Sequence, residues 1–409
     1  MQLVSKGAED EFLTKNADIT FFKHVHRRHT NFAIETMETT FNDGIGKLLE
    51  PKRISCTIPR NGDLMHKVYL HIKIPPFQVD DPPVGSILMD NLGHRLINNV
   101  SVSIGGQVID RHTGEFLYLW HSLSETSDKL KSLDIMVGKG ITCGGGTLYI
   151  PLMFWFCRSS AQSLPLVSLA FHEIRIDVEF NSIIDCININ PITQSKYIPV
   201  FSKDIEASLM VDFVYLDQDE RTRFARAKHE YLVDLVQFTG DTTITDTTKS
   251  KSDKTVVVKL SLVHPCKEII WVAHRNDAIP LMYTDTANII GLNPIVSAKM
   301  VMNGMDRFSE QPGDFFNLMQ PFRYHTNMPP IGVCVYSFAL KPEDYQPSGT
   351  CNFSRLDSSQ LVLTLRQPFF SNPIINTSAQ TFTYGSIRIY AIYYNILRFA
   401  AGMAGIVHT

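Results

Sequence analysis

In several short runs of this chain, apolar and charged residues exchange places at every step. Residues 174–180 read IRIDVEF, in which Ile, Val and Phe alternate with Arg, Asp and Glu. A β-strand points successive side chains to opposite faces, so a period of two predicts a strand with one buried face. Apolar residues alternate in the same way at 68–74, 100–104, 256–262 and 361–365. The chain is therefore predicted to consist mainly of half-buried strands.

Turn-forming residues separate these runs, because Pro, Gly, Asn and Asp cluster between the predicted strands. Helical periodicity is scarce. Residues 122–133 fit a short helix inserted in a loop, and residues 217–228 (DQDERTRFARAK) fit a charged helix near the middle of the chain. Many short strands with few helices are typical of an all-β sandwich or barrel.

The length of 409 residues exceeds one ordinary sandwich and suits two domains of about 200 residues each. Apolar residues make up 44% and charged residues 19% of the chain, which is enough apolar material for substantial cores. The formal net charge is −3. A chain without an overall positive field is poorly suited to coating nucleic acid by counterion release.

The two halves of the chain share an order of features. Each has a glycine-containing motif, then an aromatic segment, an apolar run and a final strand. These features lie at 102–111, 116–120, 148–156 and 209–216 in the first half and at 301–307, 315–316, 331–340 and 387–394 in the second. An offset of about 180–200 residues is too long for a solenoid repeat and indicates a duplicated domain.

The cysteines and the ends of the chain indicate its compartment. None of the seven cysteines forms a close CxxC pair, so free, buried thiols in a reducing compartment are predicted rather than a zinc ribbon. The N-terminus has no apolar stretch typical of a secretory signal. Residues 389–407 are the best candidate for a membrane span, but Asn395, Arg398 and a tyrosine-rich first half favour a strand.

Few residues suggest chemistry. His24 and His26 resemble a cupin metal pair, but the next glutamate, Glu35, lies too far along and no second pair of this type occurs. His112 and Glu115 could form a general acid and base, but a structural hydrogen-bonded pair is favoured. No nucleophile with a base and an orienting residue is found. The sequence predicts no catalytic residue, no metal site and no cofactor.

Residues 21–32 combine aromatic rings with cations and histidines. Such a mixture suits single-stranded nucleic acid, through stacking and charge. It also suits a structural arm whose rings anchor it while its guanidinium groups pair with carboxylates of a neighbouring subunit. Because the net charge of the chain is negative, the structural arm is favoured over a nucleic-acid site. The residues expected to contact a neighbouring subunit or the lattice are Phe21, Phe22, Lys23, Arg27, Arg28, His29 and Phe32.

Longer motifs occur in order along the whole chain. The first half contains GAED at 7–10, ITFFKHVHRRHTNF at 19–32, IGGQ at 104–107, LYIPL at 148–152 and FWFCR at 154–158. The second contains NGMDRF at 303–308, YSFAL at 336–340, QPSGT at 346–350, NFSR at 352–355, YNILR at 394–398 and GMAG at 402–405. Together they resemble the major capsid proteins of nucleocytoplasmic large DNA viruses, of the iridovirus, phycodnavirus and marseillevirus kind. Two departures are His26, where a tyrosine is expected, and the lack of long surface insertions.

The resemblance implies an all-β double jelly roll: two consecutive eight-stranded jelly-roll domains with short helices in loops and at the inter-domain connector. The expected divisions are an N-terminal arm at 1–29, jelly roll 1 at 30–216, a connector at 217–227, jelly roll 2 at 228–400 and a C-terminal tail at 401–409. The motif residues expected to have structural roles are Gly105, Gly106, Asp110, Trp155, Arg158, Gly304, Asp306, Arg307, Arg355, Asn395 and Arg398.

The resemblance also implies a structural role without catalysis. Three copies would form a pseudo-hexameric capsomer, and capsomers would tile the icosahedral outer shell of a virion assembled in the host cytoplasm. Expected partners are neighbouring capsomers, minor capsid and penton proteins, and inner viral membrane proteins, with no specific nucleic acid. The alternatives are a minor capsid paralogue and a glycan-binding or host-attachment jelly-roll protein of the same virion.

Strand 209–216 carries apolar residues on both faces, with Leu209, Val211 and Phe213 on one side and Met210, Val214 and Leu216 on the other. One face would pack against the sandwich core and the other against a neighbouring roll, within or between subunits. A ring closed by threefold symmetry requires such a contact between two different surfaces.

Overall fold

Eight principal strands form the first half of the computed structural model, which describes residues 6–79, 88–187, 198–246, 253–275, 292–366, 374–376 and 381–407. They are β1 Phe32–Thr40, β2 Lys52–Thr57, β3 Leu64–Ile74, β4 Ile97–Ile104, β5 Gln107–Thr113, β6 Gly146–Pro151, β7 Ile174–Phe180 and β8 Glu206–Leu216. Shorter strands in this half are Phe77–Gln78, Leu164–Pro165 and Val200–Phe201.

Eight principal strands also form the described part of the second half. They are β9 His229–Asp246, β10 Lys254–Lys259, β11 Pro265–Arg275, β12 Ile295–Met302, β13 Met305–Asp306, β14 Val333–Ser337, β15 Ser359–Leu365 and β16 Thr381–Ala400. Shorter strands are Gln311–Pro312, Cys351–Asn352, Ile374–Asn376 and Met403–Ile406.

Each half pairs its strands in the same order. The first half has sheets β1-β8-β3-β6 and β2-β7-β4-β5, and the second has β9-β16-β11-β14 and β10-β15-β12-β13. In both, the first strand pairs with the last and the second with the next to last, all antiparallel. This is the jelly-roll arrangement, in which two Greek-key sheets pack face to face. The predicted double jelly roll is confirmed.

The period-two pattern places the cores. In β7, Ile174, Ile176, Val178 and Phe180 are buried, as their alternation predicts. One apolar cluster fills the first roll, around residues such as Leu70 and Leu209, and extends to Leu235 and Leu397 of the second roll. A second cluster fills the second roll, around Trp271, Leu363 and Ile389. Each roll therefore has a core of its own.

Seven α-helices occur among the described residues: α1 Ala8–Thr14, α2 Leu92–Leu96, α3 Gly114–Ser124, α4 Ser127–Met136, α5 Trp155–Arg158, α6 Gln218–Arg226 and α7 Gln320–Tyr324. A π-helical turn, Phe315–Met319, precedes α7. Short 3-10 turns lie at Ser160–Gln162, Leu166–Ser168, Ile183–Cys186 and Phe353–Arg355. The predicted connector helix is confirmed as α6, and the Asp217 side chain caps its first turn.

Two predictions about local structure were wrong or inexact. The single helix at 122–133 is replaced by α3 and α4, because Glu125 and Thr126 are extended with ψ near 145° and 151°. Two of the seven cysteines, Cys143 and Cys351, are half-buried, whereas the other five are buried, and all are free thiols.

Residues 389–407, the best candidate for a membrane span, lie in β16 and the strand Met403–Ile406 that pairs with it. No helix in the described part of the chain has the length and apolar character needed to cross a membrane. The tyrosines that favoured a strand here belong to β16, where Tyr390 and Tyr394 are buried.

The two glycine-containing motifs form equivalent hairpin turns. Gly105 and Gly106 join β4 to β5 with φ of 57° and 85°, and Asn303 and Gly304 join β12 to β13 with φ of 49° and 77°. Two successive residues with positive φ form the turn that matches the twist of a hairpin, and Asn and Gly tolerate it best. The similarity of the two halves therefore reflects the same local structure.

Candidate assembly surfaces

The N-terminal arm lies on the outside of the molecule. Every residue from 6 to 31 is exposed, including the cations Lys23, Arg27 and Arg28 and the ring of His29. Phe21 is 91% and Phe22 is 98% exposed. Large apolar side chains left in water in one short segment mark a site of interaction with another molecule.

The arm joins the first roll at β1. Phe32, the last predicted contact residue, pairs with Leu216 of β8 and remains 53% exposed. The rings of His24 and His26 meet edge to face at 4.9 Å. No group of three or more His, Cys, Asp or Glu side chains among the described residues is arranged to hold a metal ion. The predicted role of the arm in contacting a neighbouring subunit stays a prediction.

Helix α3 of the first roll covers the outer face of a sheet of the second roll. Its residues Phe116, Leu119, Trp120 and Leu123 are buried. They share one apolar cluster with Val236, Ile270, Val272, Val333, Val335, Tyr390 and Ile392 of sheet β9-β16-β11-β14. This sheet thus has its own core on one face and a helix of the other roll on its opposite face.

Apolar burial on both faces was predicted for strand 209–216, which is β8. Leu209, Val211 and Phe213 are fully buried in the core. On the other face Val214 is buried, whereas Met210 and Leu216 are only half-buried. Within one chain, β16 is therefore the last strand of a roll that is buried on both faces. That a neighbouring roll covers the outer face of β8 stays a prediction.

A buried ionic pair stabilises the junction of the rolls. Lys267 of β11 is fully buried, and its Nζ donates a hydrogen bond to Asp234 of β9. Arg158, from the end of α5 in the first roll, lies 3.6 Å from the same carboxylate and 4.6 Å from the Trp120 ring centroid. One carboxylate thus lies between two cations that come from different rolls.

A second ionic group lies nearby. His325 donates a hydrogen bond of 2.5 Å to Glu268 and lies 3.0 Å from Glu343. Burial alone would lower the pKa of His325, but the two carboxylates outweigh it and raise that pKa to about 9. The imidazole is therefore held as a cation at neutral pH.

Glu115, in the first turn of α3, reaches across the junction. It accepts hydrogen bonds from the Tyr390 hydroxyl at 2.6 Å, from Arg388 at 3.1 Å and from His274. Burial would raise the pKa of Glu115, but His274 and Arg388 lower it to about 2. The carboxylate is thus charged and holds α3 to the second roll.

Asp110 makes a further link between the rolls. Its carboxylate accepts a hydrogen bond of 3.1 Å from the backbone N–H of Val236, and it lies 2.9 Å from His112 Nε2. The described partner of His112 is thus Asp110, whereas Glu115 is bound by residues of the second roll. The expected hydrogen bond between His112 and Glu115 is therefore not found, and each of the two residues has other structural partners.

The remaining motif residues divide by burial. Trp155 and Asn395 are buried, and Arg158 is half-buried. Asp306 lies 3.3 Å from Lys299, and Arg398 lies 2.8 Å from Glu230, both at the surface. The exposed motif residues are Gly105, Gly106, Gly304, Asp306, Arg307, Arg355 and Arg398.

Sequence reasoning did not find Asp234, Lys267, Glu268 or His325. A signal was present, because LVDLV at 232–236 and CKEIIWV at 266–272 place charges inside otherwise apolar strands. Buried charges require partners, so charges within such strands indicate an ionic contact. The sequence does not show which charges pair, because the members of each pair come from distant parts of the chain.

Two family models match consecutive parts of the chain. The model described as "Major capsid protein N-terminus" matches residues 20–217, and "Large eukaryotic DNA virus major capsid protein" matches residues 220–405. The chain is 36% identical to the major capsid protein of Pyramimonas orientalis virus, covering 100% of this chain and 98% of that protein. It is 34% identical to the major capsid protein of Phaeocystis pouchetii virus, covering 100% and 99%.

The fold is similar to that of a solved capsid. The quasi-atomic structure of the PBCV-1 virus capsid superposes with a TM-score of 0.79 at 30% identity, covering 95% of this chain and 100% of that one. The Faustovirus major capsid protein shares the fold, with a TM-score of 0.70 at 13% identity. From these matches and its double jelly roll, the chain belongs to the family of large eukaryotic DNA virus major capsid proteins.

Proposed function

We propose that three copies of this chain form a homotrimeric capsomer whose six jelly rolls give a pseudo-hexagonal outline. Such capsomers would tile the icosahedral outer shell of a large double-stranded DNA virus. The observation that carries the proposal is the side-by-side packing of two rolls of identical strand order through α3 and its buried ionic contacts. A unit already holding two like rolls makes a six-lobed ring when three copies close around one axis.

The proposed divisions are the arm at 1–29, the rolls at 30–216 and 228–400, the connector at 217–227 and the tail at 401–409. The role is structural, without catalysis or specific nucleic-acid binding. The arm runs beneath the shell, where its exposed rings and cations contact minor capsid proteins or inner viral membrane proteins. Neighbouring capsomers and penton proteins are the lateral partners, and assembly takes place in the host cytoplasm.

The purified chain is expected to be a trimer. Native mass spectrometry should give three times the 46.3 kDa of one chain, and electron micrographs of the particle should show six lobes. The reason is that exposed apolar surface on both rolls is covered only when copies associate. A stable monomer under mild solution conditions would refute the proposed capsomer.

Deletion of residues 1–29 is expected to leave the trimer intact and to impair lattice formation. The arm is exposed along its described length and lies outside both cores, so its loss removes contacts without opening a roll. Native mass measures the trimer, and electron microscopy of assembly mixtures with the partner proteins measures the lattice. Failure of the truncated chain to form trimers would show instead that the arm lies within the capsomer.

A further inference from the structure

Helix α3 and the segment 313–324 occupy equivalent places in the two rolls. Each begins at a glycine packed against the start of a strand. An ideal Cβ on Gly114 would lie 2.3 Å from the Ile97 carbonyl oxygen, and one on Gly313 would lie 2.0 Å from that of Ile295. Ile97 begins β4 and Ile295 begins β12, which are the same strand of the two rolls. The two glycines therefore set the equivalence, position 114 with 313.

With this equivalence, the side chains of each helical segment divide into one that enters the core of its own roll and four that point away from it. Leu117 of α3 and its equivalent Phe316 are both fully buried in the cores of their own rolls. The four residues of α3 that pack on the other roll are Phe116, Leu119, Trp120 and Leu123. Their equivalents in the second roll are Phe315, Leu318, Met319 and Phe322.

In the second roll these equivalents form an uncovered apolar stripe. Leu318 is 48%, Met319 is 44% and Phe322 is 81% exposed, and Phe315 is half-buried. Their spacing of three, four and seven residues is the same as that of Phe116, Leu119, Trp120 and Leu123 in α3. In α3 the equivalent side chains are covered by the other roll. Here, no part of the chain that the structure describes covers them fully.

The surface equivalent to the one under α3 lies on sheet β1-β8-β3-β6. One short strand pairs with β3 at Leu64, and another pairs with β11 at Pro265. Because these two pairings are equivalent, Leu64 of β3 is aligned with Pro265 of β11. By that register, Tyr69 and His71 take the places of Ile270 and Val272. The cross-strand partners correspond in the same way. Met210 lies beside Tyr69 as Tyr390 lies beside Ile270, and Tyr149 lies beside His71 as Val333 lies beside Val272.

This second surface is open and partly aromatic. Tyr149 is 38% exposed and stacks on His71 at 4.9 Å, while Tyr69 and Met210 are half-buried. Aromatic and methionine side chains are enriched at the centres of protein interfaces. The counterparts of these residues in the second roll lie beneath α3.

One ionic link between the rolls has a counterpart of opposite charges on the two surfaces. In α3, Glu115 is bonded to His274 of the second roll. By the same equivalence, the counterpart of Glu115 is Asp314 and that of His274 is Lys73. Asp314 and Lys73 are both exposed and carry opposite charges. A contact between them in two different copies would repeat the ionic link made inside one chain.

We infer that the stripe Phe315, Leu318, Met319 and Phe322 of one copy docks on the outer face of sheet β1-β8-β3-β6 of the next copy. The contact reproduces between chains the packing of α3 within a chain. It joins two different surfaces, so each copy offers one of each and three copies close a ring. The inference rests on the proposed trimer and specifies which residues build it.

The double substitution Leu318→Glu with Phe322→Glu is expected to dissociate the trimer. Two charges on a buried apolar contact should raise the concentration needed for half-assembly by about a hundredfold or more. Sedimentation velocity measures assembly, and circular dichroism checks the fold. Ile135→Glu with Phe171→Glu is the matched control, because these residues are 71% and 76% exposed outside both surfaces. The control should remain trimeric.

The charge pair gives a second measurement that keeps the cores unchanged. Asp314→Lys and Lys73→Asp should each weaken the trimer, and the two together should restore it, because the exchanged charges meet across the contact. A wild-type chain that is not a trimer would overturn the proposed capsomer. A trimer that survives Leu318→Glu with Phe322→Glu, dissociates equally in the control, or gains nothing from the double charge exchange would overturn this contact alone.

Discussion

Replacing Asp234 with asparagine is expected to lower the free energy of unfolding by about 3–5 kcal/mol. The carboxylate is buried and accepts a hydrogen bond from fully buried Lys267, with Arg158 at 3.6 Å. Asparagine keeps the size of the side chain but removes its charge. Two buried cations would then lie together without the anion that offsets them, so both desolvation and mutual repulsion disfavour the folded state.

Asp241→Asn on the same strand is the matched control. Asp241 binds Arg388 through two hydrogen bonds, of 2.6 and 3.1 Å, but its side chain is 47% exposed. A pair with so exposed a carboxylate contributes up to about 1 kcal/mol, and Arg388 keeps its bond to Glu115 when the contact is broken. Chemical denaturation at one protein concentration, followed by tryptophan fluorescence, compares the variants. Equal losses for the two substitutions would show that the Asp234 group does not stabilise the junction of the rolls.

The fold was predictable because its strands carry a local signature. The alternation in β7 and the paired turns at Gly105–Gly106 and Asn303–Gly304 depend on neighbouring residues alone. The connector helix α6 was predictable for the same reason, since DQDERTRFARAK contains its own cap and charges. The break between α3 and α4 was missed because Ser122 to Leu133 has no proline or glycine to mark it.

The junction between the rolls was not predictable from local pattern. Arg158, Asp234 and Lys267 come from three separate segments, so no spacing in the sequence brings them together. The stripe at 315–322 was also hidden. In the sequence, Phe315 and Phe316 form one aromatic segment, yet Phe316 is buried in the core while Leu318 and Phe322 are exposed. Which side of a helical segment faces a core is decided by tertiary packing.

Because the pKa values of buried His325, His121 and His94 are shifted, we expect the free energy of unfolding to fall on both sides of neutral pH. On the alkaline side, the pKa of His325 is raised to about 9 in the folded chain, compared with about 6.5 when unfolded. A raised pKa contributes stability that is fully present below pH 6.5 and is lost as the pH rises through 9. The expected loss is about 3 kcal/mol, and His325→Gln should remove this part of the pH dependence.

On the acid side, burial lowers the pKa of His121 to about 4 and lowers that of His94. Their ring nitrogens lie 3.2 Å apart, so protonating both would place two buried charges together. A lowered histidine pKa contributes stability above pH 6.5 that is lost as the pH falls through 4. Denaturation from pH 4 to 9 should show His121→Gln flattening only the acid side and His325→Gln only the alkaline side. If either variant changed both sides alike, the two groups would not act independently, and the assignment of each side to its own histidines would be wrong.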